Sequence, residues 1–396
     1  MNKPRGLYLA YNKKIATESQ SDFNFPCMTT HALAYKYTMK GSKRTIANFS
    51  VRDIKEDLLY TDKANIVKDV NNFTLSRYLN IEDFTINKLS HKYWYKMIEG
   101  SIPISHNGYL KLFHIELDKG LLNGRDIDLL FIDEIGDANE VTLEIIKLLP
   151  AKKKVVAGDQ YQQIYSFNGT VNGFEILNYP TMNLTNSFRC SPEIGEIVND
   201  FLLKHNINVG FKGVNYNTPE FNTELILHRT NSNLLYTMQD LVDKDIDFTT
   251  TRDIKSYFRL PISLIMASAG KEVYYTEHKW LEYTYKDYKK LRNPVSFVGY
   301  LSDTYYKDTE LKAAINLMLN RKVDVFRLYN LVKDYKGKSN INISTIHSSK
   351  GMTVNSVKLA SDVKLNPDLD DFYTEKLLRY VAISRGQYKI EGLGNI

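Results

Sequence analysis

The chain has 396 residues, of which 43% are apolar, and 28 are tyrosines, ample for the ordinary cores of two or three domains. Lysine plus arginine (52) exceeds aspartate plus glutamate (46), a net charge of +6 that is compatible with nucleic acid, although a bias toward Lys, Asn, Ile and Tyr throughout would produce the same excess. Cys27 and Cys190 lie far apart without metal-ligand spacing, which excludes a disulfide framework and a zinc site and fits a reducing cytoplasm. No apolar run reaches membrane-spanning length, and the start, MNKPRGLYLAYNKK, carries no signal-peptide pattern.

In chain order, Leu7 to Tyr11 reads as a short strand and Lys13 to Gln20 as a helix. Pro26 marks a break, Cys27 to Thr29 reads as a second strand, and Thr30 or His31 opens a helix. Asn12 and Thr30 each fall at a strand-to-helix junction, where backbone N–H groups and the helix dipole favour phosphate; helix caps would look the same. Tyr11 could stack on a base or fill a core. Residues 41 to about 115 read as mixed helix inserted between two strands of one sheet, with Tyr93, Trp94 and Tyr95 as core or a partner face.

The stretch that organises the chain is DIDLLFIDEIGD, Asp126 to Asp137. Its apolar run, Ile127 to Ile132, suits a central parallel strand covered on both faces, and it ends in Asp133 and Glu134. Carboxylates there sit where open α/β sheets bind ligands, and an aspartate and a glutamate are what a phosphate-bound Mg²⁺ and an attacking water need. A strand running into an acidic turn is the plainer alternative. A helix follows at roughly Glu140 to Leu149, then a strand at Lys154 to Ala157 that opens the loop GDQYQQIYSFNGT, Gly158 to Thr170. Arg189 falls in a turn before a helix that starts near Pro192. Leu225 to Arg229 reads as a strand with Thr230 and Asn231 as caps. Residues from about 240 to 335 form a second irregular block with charged helices, Tyr285 to Arg292 and Thr309 to Asn320 among them. Ile341 to Thr345 reads as a strand, His347 to Thr353 as a polar loop, and Glu375 to Ser384 as a helix ending at Arg385. Strands alternating with helices predict an α/β fold with parallel sheets.

Taken together, LAYNKKIA (Leu9 to Ala16), TTHALAYK (Thr29 to Lys36), FIDEIGD (Phe131 to Asp137), GDQYQQIYSFNG (Gly158 to Gly169), LTNSFRCSPEI (Leu184 to Ile194), STIHSSKGM (Ser344 to Met352) and LLRYVAISRG (Leu377 to Gly386) resemble, in order, motifs Ia to VI of the UvrD/Rep-like superfamily 1 DNA helicases, closest to the F-box DNA helicase type and its phage relatives. The resemblance implies two RecA-like parallel-sheet lobes of the P-loop NTPase helicase core: lobe 1A over 1–183 with a 1B-like insert at about 41–115, and lobe 2A over 184–396 with a 2B-like insert at about 240–335. It implies ATP and Mg²⁺ as cofactors and 3′ to 5′ movement on single-stranded DNA, with junctions of single and double strands as substrate. By the same resemblance Asp133 would hold Mg²⁺ and Glu134 would orient the hydrolytic water. Gln162 would sense the γ-phosphate, Gly351 would lie at the nucleotide, and Arg189 and Arg385 would act as arginine fingers. Tyr11, Tyr165 and Phe167 would stack on bases, while Asn12, Thr30, His31, Thr345, His347 and Lys350 would meet DNA phosphates. The implied setting is the cytoplasm of a bacterial or phage-infected cell, with no membrane partner.

The sequence departs from the family pattern in places. No GxxxxGK[ST] phosphate loop occurs in the 396 residues. Gly337, Lys338 and Ser339 form a GKS, but Val332 stands where the first glycine belongs, and the GKS precedes a strand. Gly136 replaces a glutamine, Asn168 an arginine, and Thr353 a glutamate. Three readings follow: a helicase whose phosphate loop is carried by an upstream segment or a second chain, a single-stranded DNA-binding relative without ATP hydrolysis, and a scaffold that binds a partner protein. Retention of Asp133, Glu134, Gln162, Arg189 and Arg385 favours the first.

Overall fold

The computed structural model describes residues 5–124, 127–164, 170–217, 223–290, 295–364 and 372–395. The chain divides into two units, Met1–Thr181 and Met182–Ile396, and each is built on a parallel sheet of its own.

In the first unit β1 (Gly6–Ala10) leads to α1 (Lys13–Asp22), β2 (Cys27–Thr29) and α2 (Thr30–Thr38). Asn12 caps α1, its side-chain oxygen accepting the Ile15 N–H at 3.0 Å; Thr29 caps α2 by accepting the Ala32 N–H at 3.0 Å. The helices α3 (Tyr60–Leu75), α4 (Lys88–Glu99) and α5 (His106–Asp118) come next, followed by β3 (Ile127–Ile132), α6 (Glu140–Leu148), β4 (Ala151–Val156) and α7 (Gly173–Leu177). The sheet order is β2-β1-β3-β4, all parallel, with Tyr8 opposite Phe131 and Leu9 opposite Ile132.

Strand alternation then sorts the side chains. Leu7, Leu9, Leu130 and Ile132 enter the large core that α2 to α6 share, and Tyr93 and Trp94 are buried there too. Tyr95 is instead exposed and donates its hydroxyl to Glu82. Tyr8, Ala10 and Phe131 face a smaller aromatic layer made with Ala16, Phe23 and Phe25. The expectation for Ile127–Ile132, a central parallel strand covered on both faces, is met, but the two covers differ in depth. Leu130 and Ile132 are buried while Leu129 and Phe131 are only partly so, because the second face carries this thinner layer.

The second unit contains β5 (Asn186–Ser187), α8 (Pro192–Lys204), β6 (Lys212–Gly213), β7 (Glu224–His228), α9 (Asn231–Asp243) and β8 (Thr249–Thr250). It continues through α10 (Arg259–Ser268), α11 (Lys279–Lys290), α12 (Phe297–Thr304), α13 (Thr309–Asn320) and α14 (Val325–Val332). It ends with β9 (Ile341–Thr345), α15 (Ile346–Ser349), β10 (Val354–Leu359), α16 (Phe372–Ile383) and β11 (Gly386–Glu391). The main sheet has the order β11-β10-β7-β9-β8, with every pairing among the described strands parallel. Helices α10 to α13 form an apolar cluster around Leu264, Leu281, Leu301 and Leu311.

Two local expectations change. The helix read as beginning at Tyr285 starts at Lys279, because Leu281 is buried in that cluster and carries the helical turn before it. The loop read from His347 is helical at its start, since the Thr345 hydroxyl accepts the Ser348 N–H and caps α15. No described helix is long and apolar enough to cross a membrane.

Candidate nucleotide and DNA site

Parallel strands carry whatever follows them to one edge of the sheet. At the carboxyl ends of β1, β2 and β3 a cavity of about 390 Å³ is lined by Tyr11, Thr30, His31, Asp133, Glu134 and Asp137, together with neighbours such as Asn107 and Thr142. Tyr11, Thr30 and His31, expected at DNA, thus share one cavity with Asp133 and Glu134, expected at the nucleotide. Asn12 sits beside it as the α1 cap.

The acids are held tightly. One Asp133 carboxylate oxygen, Oδ1, accepts the Glu134 N–H at 2.9 Å, and the other, Oδ2, accepts the Tyr8 hydroxyl at 2.7 Å. Burial, reinforced by the Asp133 charge, pushes the Tyr8 phenol up to about 12. Glu134 takes a left-handed conformation, φ 53°, which costs a residue with a Cβ roughly 1–2 kcal/mol. Burial raises the Tyr11 phenol, and the Asp137 carboxylate adds to the effect. Burial also lowers the His31 imidazole, whose Nε2 lies 3.4 Å from Asn107 Oδ1, so that ring favours its neutral form.

The loop after β4 is joined to the acidic turn. Ala157 N–H donates to the Ile132 carbonyl at 2.8 Å, and Ile135 N–H donates to the Ala157 carbonyl at 3.0 Å. On that loop the Gln162 amide donates to Asp159 Oδ2 at 2.9 Å. Tyr165 and Phe167 lie outside the described residues.

In the second unit Arg189 is exposed between β5 and α8, with its carbonyl accepting the Asn215 side-chain amide at 3.1 Å. Arg385 is fully buried at the end of α16. Its guanidinium donates to the Val381 carbonyl at 2.9 Å, to Ser384 Oγ at 2.8 Å and to the Met352 carbonyl at 3.4 Å, which brings it beside the turn at Gly351, φ 84°. Thr345 is buried as the α15 cap, and His347 and Lys350 are half-buried along that helical turn. Tyr8, Asp137 and Asn107 were missed in the sequence. Only the Leu7–Tyr8–Leu9 alternation hinted that Tyr8 leaves the main core, and nothing in it named Asp133 as the partner.

The model of the UvrD-like helicase C-terminal domain matches residues 30–390. The chain belongs to the UvrD-like helicases of superfamily 1. This UvrD-like chain is 24% identical to F-box DNA helicase protein 1 of Schizosaccharomyces pombe over 98% of its own length and 52% of that protein. It is 27% identical to F-box DNA helicase 1 of Gallus gallus, over 48% of this chain and 22% of that one. It is 26% identical to a probable DNA helicase II homolog of Mycoplasma genitalium, over 48% and 27%. The UvrD-like chain therefore spans about half the length of the fission-yeast relative, and less of the other two.

Membership of this family implies use of a nucleotide. Mg²⁺ that arrives on phosphates needs one or two protein carboxylates and keeps several waters. Asp133, lining an open cavity, fits that requirement. Among the described residues no group of three or more His, Cys, Asp or Glu could hold a metal ion alone.

Proposed function

We propose that this chain is the motor part of a superfamily 1 DNA helicase that moves 3′ to 5′ along single-stranded DNA and opens duplex at junctions by ATP hydrolysis. The observation that carries the reading is the shared cavity, where Tyr11, Thr30 and His31 meet Asp133 and Glu134 at the carboxyl edge of a parallel sheet. Asp133 holds Mg²⁺, which when bound neutralises charge on the transferring phosphoryl group. Glu134 orients the attacking water, and Gln162 reports the γ-phosphate. Arg189 and Arg385 supply guanidinium to the developing charge, a role worth roughly 10³ to 10⁵ in rate, with Gly351 shaping the turn beside Arg385. Tyr11, Tyr165 and Phe167 stack on bases. Asn12, Thr30, His31, Thr345, His347 and Lys350 lie along the sugar-phosphate path.

We further propose that the phosphate-gripping loop lies outside residues 1–396, on a preceding segment or a separate chain. Residues 1–396 alone then hydrolyse ATP near background, with or without DNA, yet bind single-stranded DNA. Adding a segment that carries GxxxxGK[ST] restores DNA-stimulated hydrolysis, and Arg385→Ala abolishes it while sparing DNA binding. The test is fluorescence anisotropy with a labelled single strand, beside a phosphate-release assay. Failure to bind the strand at low salt would sink the helicase reading in favour of a scaffold. Robust hydrolysis by residues 1–396 alone would overturn the external loop.

A further inference from the structure

Tyr8 has no part in the motif reading, yet it touches the acid on which that reading turns. It lies on β1, and its hydroxyl reaches across to Asp133 Oδ2 at 2.7 Å. Its ring is buried and stacks on Phe23 at 5.2 Å between centroids, and β-sheet register sets it opposite Phe131, two residues before Asp133. Asp133 Oδ1 is tied separately to the Glu134 N–H. Both carboxylate oxygens are therefore tethered, one from the following peptide and one from the neighbouring strand. An aspartate beside an open cavity could satisfy both oxygens with water. Here a largely buried phenol is aimed at one of them instead.

We propose that Tyr8 is a positioning residue that holds the Asp133 carboxylate in one orientation for a divalent cation. The inference rests on the reading of Asp133 as the Mg²⁺ ligand. A phenol suits this task better than lysine or arginine would. It fixes the carboxylate by a hydrogen bond but brings no positive charge, so the full negative charge stays available to the cation. Each oxygen keeps a second lone pair beyond the one engaged by its donor. Partners that orient a ligating group in this way typically contribute about 10- to 100-fold in metal affinity.

The experiment uses Mn²⁺ carried on ADP as the probe, titrated into the full chain and read from the electron paramagnetic resonance signal of the unbound Mn²⁺–ADP. The wild-type chain binds Mn²⁺–ADP, and Asp133→Asn abolishes that binding. Tyr8→Phe, which keeps the ring and its stacking, weakens it about tenfold or more. In an Asp133→Asn background Tyr8→Phe changes nothing further, because its effect acts through that carboxylate. If Tyr8→Phe lowers only the melting temperature and leaves Mn²⁺–ADP affinity unchanged, Tyr8 is structural and the inference fails while the reading of Asp133 stands. If Asp133→Asn binds as tightly as wild type, or the wild-type chain binds no Mn²⁺–ADP, the reading of Asp133 falls and this inference with it.

Discussion

Gly136 shows how a single position can be set by a neighbour far away in sequence. A Cβ built there would stand 2.9 Å from the Asp159 carbonyl oxygen and 3.3 Å from Gln163 Cγ. The acidic turn packs directly on the backbone of the loop after β4, so the glutamine usual at this place in related helicases has no room. Gly136→Ala is expected to cost about 1–3 kcal/mol by overpacking, read as a lower urea midpoint. An unchanged midpoint would show that the loop yields freely. Beside it, Asp133 and Glu134 were legible from residue order, because an apolar run ending in two acids is a local pattern. The left-handed conformation of Glu134 was not, since its cause is the packing of the turn around it.

Among the helices, α5 and α9 carry charge that the sequence disguised. Lys111 on α5 is fully buried. Its ammonium donates to the Ser76 carbonyl at the end of α3 at 2.8 Å and lies 4.7 Å from the Phe73 ring centroid. Burial holds it down to about 7, against the opposing pull of Glu140 and Glu144, and His114 one turn on is held down to about 4 by burial and by Lys111. Between about 7 and the ordinary lysine value of 10.5 the unfolded chain binds the proton that the folded chain has released. Lys111 therefore makes the fold more stable as pH rises through that window, and His114 does the same between about 4 and 6.5. Denaturant midpoints measured against pH should climb through both windows. Lys111→Met should flatten the upper climb and shrink the lower one without abolishing it, since burial still holds His114 down once the Lys111 charge is gone, and an upper climb that survives the substitution would refute the assignment.

On α9 the four successive N–H groups of Arg229, Thr230, Asn231 and Ser232 are all taken by carboxylates. Asp362 accepts the first two at 2.9 and 3.4 Å, and Glu310 from α13 accepts the next two at 2.8 and 2.9 Å. This is the carboxyl edge between β7 and β10, where the connections of the second sheet diverge to opposite sides. Its anion-binding amides are filled by the chain's own acids. Burial raises Glu310 against the N–H groups that favour its charge. Glu310→Ala strands the backbone and side-chain donors of Asn231 and Ser232 and should destabilise the second unit by about 2 kcal/mol or more, measured by thermal melting. A variant as stable as wild type would mean that water replaces the carboxylate without cost.

For the molecule as a whole, single-strand binding should rest on phosphate contacts, so affinity should fall steeply between about 50 and 200 mM salt, linearly on logarithmic axes. Tyr11→Ala should remove about 1–3 kcal/mol of stacking without changing that slope, because in the proposed reading Tyr11 meets a base and carries no charge. A salt-independent affinity would argue that the mild positive balance has no part in binding. The net +6 did not by composition predict where positive charge would gather.

Most strand starts, the helix caps and the paired acids could be read from residue order, because each depends on neighbours within a few positions; β4 is the exception, beginning at Ala151 where the sequence suggested Lys154, because its lysine-rich first half is held by pairing with β3. The Asn12 cap, the Thr230 cap and the span Thr309–Asn320 needed nothing else. What residue order could not supply was the company those residues keep. Tyr8 meets Asp133, Gly136 meets Asp159, and Tyr11 shares a cavity with Glu134 because sheet register and close packing bring together segments distant in the chain. Such pairings are set by which apolar faces are buried against one another, a property of the folded sheet that no short stretch of sequence carries.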